Sequence, residues 1–123
     1  MLNNMELNRK PTTEKMLLID FLVNSSSLVL SSDWKDNLMV RNMNDGEMGS
    51  LQLYSSTKIV NGRKFGKQVS EFQFLDEDKV LVVASLNVDE DGNLLELDIW
   101  KTDFSKLIKL PHSYPKSQTI LNP

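Results

Sequence analysis

The chain has 123 residues, 40% of them hydrophobic and 25% charged, which is typical of one globular domain. Fourteen lysines and arginines against 17 aspartates and glutamates leave a net charge of −3, which argues against nucleic acid as the main partner. The absence of cysteine excludes disulfides, thiolate nucleophiles and sulfur-bound metals. A single histidine, His112, excludes multi-histidine metal sites and leaves little for histidine-based catalysis.

The N-terminal region predicts a single helix. Residues 1–11 are polar and rich in asparagine, so we expect a flexible tail without an export signal. A threonine cap at Thr12 or Thr13 predicts the start of the helix, and Asn24 with the serines after it predicts the end. Apolar residues with helical spacing predict the buried stripe: Met16, Leu17, Ile19, Phe21 and Leu22.

From Leu38 onward the hydrophobic period changes to two residues, which predicts a sheet of about five strands joined by short turns. The predicted strands cover residues 38–41, 51–53, 69–75, 80–88 and 94–101, with an uncertain one at 58–60. Segment 80–88 is apolar on both faces, which predicts a central strand. A short helical turn at 105–108 and an irregular tail over 111–123 are expected to follow. The predicted fold is therefore one α+β domain over 12–110, with the helix packed on an antiparallel, meander-like sheet.

Oxygen-bearing side chains near the turn at 89–93 have the spacing of a calcium loop. Asn87, Asp89 and Asp91 would take the first, third and fifth positions, and Asp98 the twelfth. Strand-like segments flank this turn, however, whereas such a loop needs helices. We expect a hairpin turn with Gly92 at a positive-φ position, with no metal and no other cofactor.

The strand at 94–101 presents two carboxylates and an indole on one face. Because side chains alternate, Glu96, Asp98 and Trp100 share a face, while leucine and isoleucine occupy the other. Symmetric pairing of the hairpin would bring Ser85 and Asn87 beside the carboxylates. This face could carry acid–base catalysis, bind a basic or apolar partner, or pair its acids structurally with Lys101, Lys67 or Arg41.

The second candidate is a turn with two glycines three residues apart, which we call the motif turn. Its members are Asp45, Gly46, Met48, Gly49 and Ser50. Such a turn could expose backbone amides to an anion. Because no helix signal follows it and Leu51 starts a strand, a structural role is the stronger expectation.

The chain resembles a family of small bacterial proteins of unknown function over about 12–111. The resemblance is carried by segments 44–51, 65–66, 74–78 and 86–105, with the signatures D-G-x-M-G-S-L and E-L-D-x-W-K-x-D-F-S. It implies a single domain with an N-terminal helix and assigns no catalytic residue.

The sequence leaves the function unknown. Our leading hypothesis is a non-enzymatic domain that binds another protein, with an immunity-type inhibitor of a toxin as its specific form. Mild acidity favours a basic partner. One alternative is a small hydrolase or carbohydrate-binding domain that uses Glu96 and Asp98, and another is a structural homodimer. The longest apolar runs are too short to span a membrane, so we expect a cytoplasmic protein.

Overall fold

A helix packed on a five-stranded antiparallel sheet forms the fold in the computed structural model, which describes residues 8–55 and 61–116. Helix α1 spans Thr13–Asn24, and α2 is a single turn at Trp34–Asn37. The strands are β1 (Met39–Asn42), β2 (Leu51–Tyr54), β3 (Phe65–Leu75), β4 (Leu81–Asp89) and β5 (Leu94–Lys101). The predicted α+β class is confirmed. The uncertain strand at 58–60, the first seven residues and residues 117–123 lie outside the described residues.

The strand order is β1-β2-β5-β4-β3, and every neighbouring pair is antiparallel. Three of the four pairs follow one another along the chain, as in a meander, but β2 pairs with β5 instead of β3. The strand in the middle of this order is β5. The predicted central strand, β4, lies inside the sheet between β5 and β3 and is buried on both faces over residues 84–89, as its apolar sequence predicts. In the pairing of β2 with β5, Leu51 lies opposite Leu97, and both side chains are buried in the core.

Helix α1 begins as predicted, because the Thr12 hydroxyl accepts a hydrogen bond from the Lys15 N–H at 3.2 Å. Its buried side differs in part from the predicted stripe, since Leu17 is 44% exposed. The buried helix residues are Leu18, Ile19, Leu22 and Val23. Apolar residues fill positions 16–19 without a break, so their spacing alone does not select one face, and packing against the sheet does.

Helix α1 covers one face of the sheet and encloses the core there. The core residues that the sheet contributes include Val40, Leu53, Val82, Ala84, Leu86, Leu97 and Ile99. Phe21 of the helix packs at 5.0 Å, centroid to centroid, from Phe72 of β3, and Tyr114 stacks on Phe21 at 5.2 Å. None of the described helices is long and apolar enough to cross a membrane.

The segment from Thr102 to Lys116 crosses this side of the molecule without a helix or strand. The prediction of a helical turn at 105–108 is wrong, because backbone amides there donate to acceptors that are far away in the sequence. The Leu107 N–H donates to the Glu47 carbonyl, and the Ile108 N–H donates to Asp76 Oδ2 at 2.8 Å. At the other end of the described chain, Arg9 pairs with Val40 at the outer edge of β1.

A buried ion pair holds this segment against the sheet. The Lys101 side chain is 1% exposed, and its ammonium donates to Asp76 Oδ2 at 2.9 Å, Asp78 Oδ2 at 2.7 Å and the Lys106 carbonyl at 3.1 Å. Asp76 also accepts the N–H groups of Glu77, Ile108 and Lys109. The pair therefore joins the β3–β4 turn, the end of β5 and the C-terminal segment.

The same contacts set the charge states of the pair. Burial alone would raise the pKa of Asp76, but hydrogen bonds from Ile108 and Lys101 outweigh it and hold the pKa at about 2. Burial alone would lower the pKa of Lys101, but hydrogen bonds to Asp78 and Asp76 raise it. Both groups are thus charged at neutral pH, as a buried pair requires.

Replacement of Asp76 by asparagine should lower the free energy of unfolding at pH 7 by about 3 kcal/mol, because it leaves a buried ammonium undercompensated. The pKa of Asp76 is lower in the folded chain than its ordinary value of 3.8, so its stabilising effect is complete above that value. The effect is lost as the pH falls towards about 2.

The difference between wild type and Asp76→Asn should therefore shrink over that acidic range in urea titrations at a series of pH values. Glu77→Gln is the matched control, because among the described residues the Glu77 side chain forms only an exposed 3.9 Å pair with Lys109. A difference that stays constant down to the lowest pH would contradict this assignment.

A close backbone contact explains Gly66 on the edge strand β3. The pairing of β3 with β4 shifts register between Phe65 and Lys67, and an added Cβ at Gly66 would overlap the Asp89 carbonyl oxygen. The bulge at this position thus requires glycine because of space, since Gly66 does not have a positive φ.

Gly66→Ala should lower the free energy of unfolding by about 1–3 kcal/mol, because the β3–β4 backbones must move apart. Chemical denaturation measures this directly. Gln68→Ala, at an exposed position of the same strand, serves as the control, and equal losses in both variants would refute the steric explanation.

Candidate functional site

The side of the sheet opposite α1 is polar, and we call it the open face. Glu96, Asp98 and Trp100 lie there, while Leu97 and Ile99 point into the core with 1% exposure or less. The alternation expected from the sequence thus places the three candidate residues together. Leu95 is only half-buried, because the register shifts by one residue where Val88 pairs with Leu94.

Strand pairing surrounds the two carboxylates with polar side chains. Asn87 lies opposite Glu96, and Ser85 lies opposite Asp98, as symmetric hairpin pairing predicts. Glu71 of β3 lies opposite Ser85 on its other side, which adds a third carboxylate to the same row. The two β4 residues are buried beneath these neighbours, with exposures of 7% for Ser85 and 9% for Asn87.

Both candidate carboxylates are held in an environment that disfavours their charge. Partial burial and the charge of Asp98 raise the pKa of Glu96, although Asn87 and Arg63 oppose the shift. Partial burial and the charge of Asp45 raise the pKa of Asp98. Within residues 8–55 and 61–116, neither carboxylate forms an ion pair.

The prediction that Lys101 could pair with Glu96 or Asp98 is wrong. Lys101 follows Trp100, so its side chain lies on the opposite side of the strand and is committed to Asp76 and Asp78. Arg41 lies on the outer strand, separated from Glu96 by Gln52 in the strand register.

An exposed aromatic pair borders the carboxylates. The Trp100 and Phe104 rings are 6.1 Å apart between centroids, with 41% and 69% of the residues exposed. Leu75 of β3, also on this face by register, is 61% exposed. Sequence analysis missed Phe104 and Leu75, because one follows the last strand and the other ends β3, where periodicity gives no orientation relative to Trp100.

The motif turn is organised by its own aspartate. Asp45 accepts the N–H of Met48 at 3.2 Å and of Ser50 at 2.9 Å, and these bonds, against the opposing effect of burial, lower the pKa of the Asp45 carboxyl. The buried Ser50 hydroxyl accepts the Ile99 N–H at 2.8 Å and donates to the Ile99 carbonyl. An anion would have to compete with the Asp45 carboxylate, so the turn serves to join β2 to β5.

The turn at 89–93 forms the expected hairpin. Asp89 Oδ1 accepts the N–H groups of Asp91 at 2.9 Å and Asn93 at 3.0 Å, and Gly92 has a φ of +85°. Asp98 lies well along β5, opposite Ser85, instead of closing over the turn. No cluster of three potential metal-binding side chains occurs in the described part of the chain.

A family model matches residues 8–111, a range that includes the open face, the motif turn and the buried ion pair. The chain belongs to the DUF6984 family. This family is described as a domain of unknown function, so the resemblance drawn from the sequence is confirmed at the level of the family. No curated protein and no solved structure matches the chain.

Neutralising the two acids of this DUF6984 domain should stabilise it. Ionised Glu96 and Asp98 cost folding free energy because their pKa values are raised in the folded chain. The cost appears as the pH rises through those pKa values and vanishes in acid. Because solvent screens both partly exposed acids, the gain is small: the double variant Glu96→Gln/Asp98→Asn should be more stable than wild type at pH 7 by about 0.5 kcal/mol and equal to it at low pH.

Thermal unfolding at neutral and acidic pH tests this difference. Glu90→Gln, at the exposed end of the same hairpin, should change stability little at either pH. A double variant less stable than wild type at pH 7 would show that the carboxylates stabilise the fold.

Proposed function

We propose that the open face binds a protein partner with a basic surface, and that the chain acts without catalysis in the bacterial cytoplasm. The observation that carries this proposal is the position of an exposed Trp100–Phe104 pair beside carboxylates that lack ion-pair partners among the described residues. Aromatic side chains commonly supply most of the energy of an interface. Uncompensated acids give it charge complementarity and speed up association.

The two charged acids of the open face cost folding free energy. This cost supports a role in binding more than a role in ion pairs that stabilise the fold. Side chains that serve stability alone would pair a cation with each acid. Asn87 and Ser85 lie opposite Glu96 and Asp98 on β4 instead, and the charge of Arg63 does not outweigh the rise in the pKa of Glu96. A basic partner would supply the missing cations and lower the pKa of both carboxyl groups on association. Loss of stability at a functional surface is a common compromise in proteins.

The specific form that we propose is immunity-type inhibition, in which the chain covers the basic surface of a toxin. The size of the domain and its net charge of −3 support this form. A toxin gene beside the gene for this chain would be the expected genomic arrangement.

Catalysis by Glu96 and Asp98 is the second candidate function, favoured by the raised pKa values alone. A hydrolase or carbohydrate site needs a concave surface around its acids. Two grooves of the described chain, of about 450 and 520 Å³, are lined by neither residue. Binding to a broad protein surface therefore fits the position of Glu96 and Asp98 better than catalysis does.

The homodimer alternative would use an open sheet edge. The β1 edge is partly occupied, because the Arg9 N–H donates to the Val40 carbonyl and the Val40 N–H donates to Arg9. The other edge strand, β3, has two register shifts, which interfere with regular strand addition. Light scattering that gives a stable dimer would favour this alternative.

Charge reversal on the open face should abolish partner binding. After partners are identified by cross-linking in cells of the source organism, Glu96→Lys/Asp98→Lys should weaken the affinity of the purified partner more than tenfold, or about 1.4 kcal/mol. Trp100→Ala should weaken it by a similar factor. If the partner is a toxin, inhibition of its activity should fall in parallel.

The matched control reverses two exposed acids outside the open face, Asp36 of α2 and Glu90 of the hairpin turn. Asp36→Lys/Glu90→Lys should keep at least half of the wild-type affinity, and circular dichroism should show that all variants fold. Equal affinity of the open-face and control variants would rule out the open face as the binding surface.

A further inference from the structure

A groove of about 450 Å³, lined by neither Glu96 nor Asp98, lies where β2 ends and β5 begins. Its apolar walls come from Leu30, Trp34, Tyr54 and Leu94. The volume is within the range that small-molecule sites occupy. Tyr54 is only 4% exposed, so the half-buried Trp34 is the aromatic side chain that suits a flat apolar ligand.

Arg63 forms a fixed cationic part of this groove. Its guanidinium carbon lies 4.3 Å from the centroid of the Tyr54 ring, and Nη1 donates to the carbonyls of Leu53 at 2.7 Å and Leu94 at 3.1 Å. These contacts hold the planar group in one orientation before any ligand binds. The other guanidinium nitrogens form no hydrogen bond with the described residues, and their planar arrangement suits a carboxylate.

A negative charge lies on the same groove. Asp91 lines it from the exposed hairpin turn, and only the backbone N–H of Asp91 takes part in a hydrogen bond of that turn. Asp89 lines the groove beneath it, with Oδ1 already used by two backbone amides. The groove thus combines a positioned guanidinium, a carboxylate and an aromatic wall.

We propose that this groove binds a free aromatic amino acid. The Arg63 guanidinium would pair with the ligand carboxylate, Asp91 with its ammonium group, and Trp34 would pack against its ring. A ligand with both charges matches the groove. A simple anion would be repelled by Asp91, and a simple cation would be repelled by Arg63. The groove adjoins the open face, because Arg63 lies close enough to Glu96 to oppose the rise in its pKa, but the proposal does not depend on the proposed partner.

Isothermal titration with three related probes tests the recognition of each charge. L-tryptophan carries both groups, indole-3-propionate lacks the ammonium group and tryptamine lacks the carboxylate. L-tryptophan should bind at least about tenfold more tightly than either of the other two, since each charged hydrogen bond contributes about 1.5–3 kcal/mol. Binding should also shift the NMR signal of the Trp34 indole N–H.

Two variants assign the charges. Arg63→Gln should reduce L-tryptophan affinity to that of tryptamine, and Asp91→Asn should reduce it to that of indole-3-propionate. Lys64→Gln, which removes the neighbouring exposed cation, should leave affinity within about twofold. Asp91→Asn keeps the proposal testable if Arg63→Gln fails to fold, because the Asp91 side chain makes no hydrogen bond within the described chain.

Absence of L-tryptophan binding at millimolar concentration would overturn the proposal. Equal affinity for L-tryptophan and indole-3-propionate would also overturn it, because Asp91 would then play no part. Neither outcome bears on partner binding at the open face, which is measured with different variants.

Discussion

The buried pair between Lys101 and Asp76 is the interaction on which the arrangement of the other elements depends. A charged ammonium within the core is tolerated only when carboxylates and carbonyls surround it, so the β3–β4 turn must lie against the end of β5. Asp76 in turn accepts amides from residues 108 and 109, which directs the C-terminal segment across the sheet. Removal of either partner leaves a buried charge, which makes the network cooperative.

This pair also shapes the open face. The chain turns immediately after Lys101, where the Phe104 N–H donates to the Lys101 carbonyl at 2.7 Å and Phe104 adopts a φ of +64°. The turn places the Phe104 ring beside Trp100. Lys101, on the core side of β5, therefore helps to determine where Phe104 is exposed on the open face. The buried Lys101 pair thus stabilises the fold and also positions the aromatic part of the candidate binding surface. The acids of that surface, Glu96 and Asp98, destabilise the fold.

Much of the fold follows from local patterns. The threonine cap and the serines after Asn24 bound α1, and period-two alternation identifies the strands and puts Glu96, Asp98 and Trp100 on one face. These predictions succeed because caps, turns and alternation depend on residues close together in the chain. The same alternation places Lys101 on the side of Leu97 and Ile99. This signal could have revealed a buried lysine and its need for a buried carboxylate, but the sequence analysis assigned Lys101 to the acids of the other face.

The sequence by itself determined an α+β domain, the ends of its helix, its hairpin turns and the residues that share each strand face. Only the tertiary structure decided the pairing of β2 with β5, the side of α1 that is buried, the partner of Lys101 and the groove around Arg63. The physical reason is distance along the chain. Caps and alternation act over a few residues, whereas these four features join segments tens of residues apart, whose contact depends on how the whole core packs.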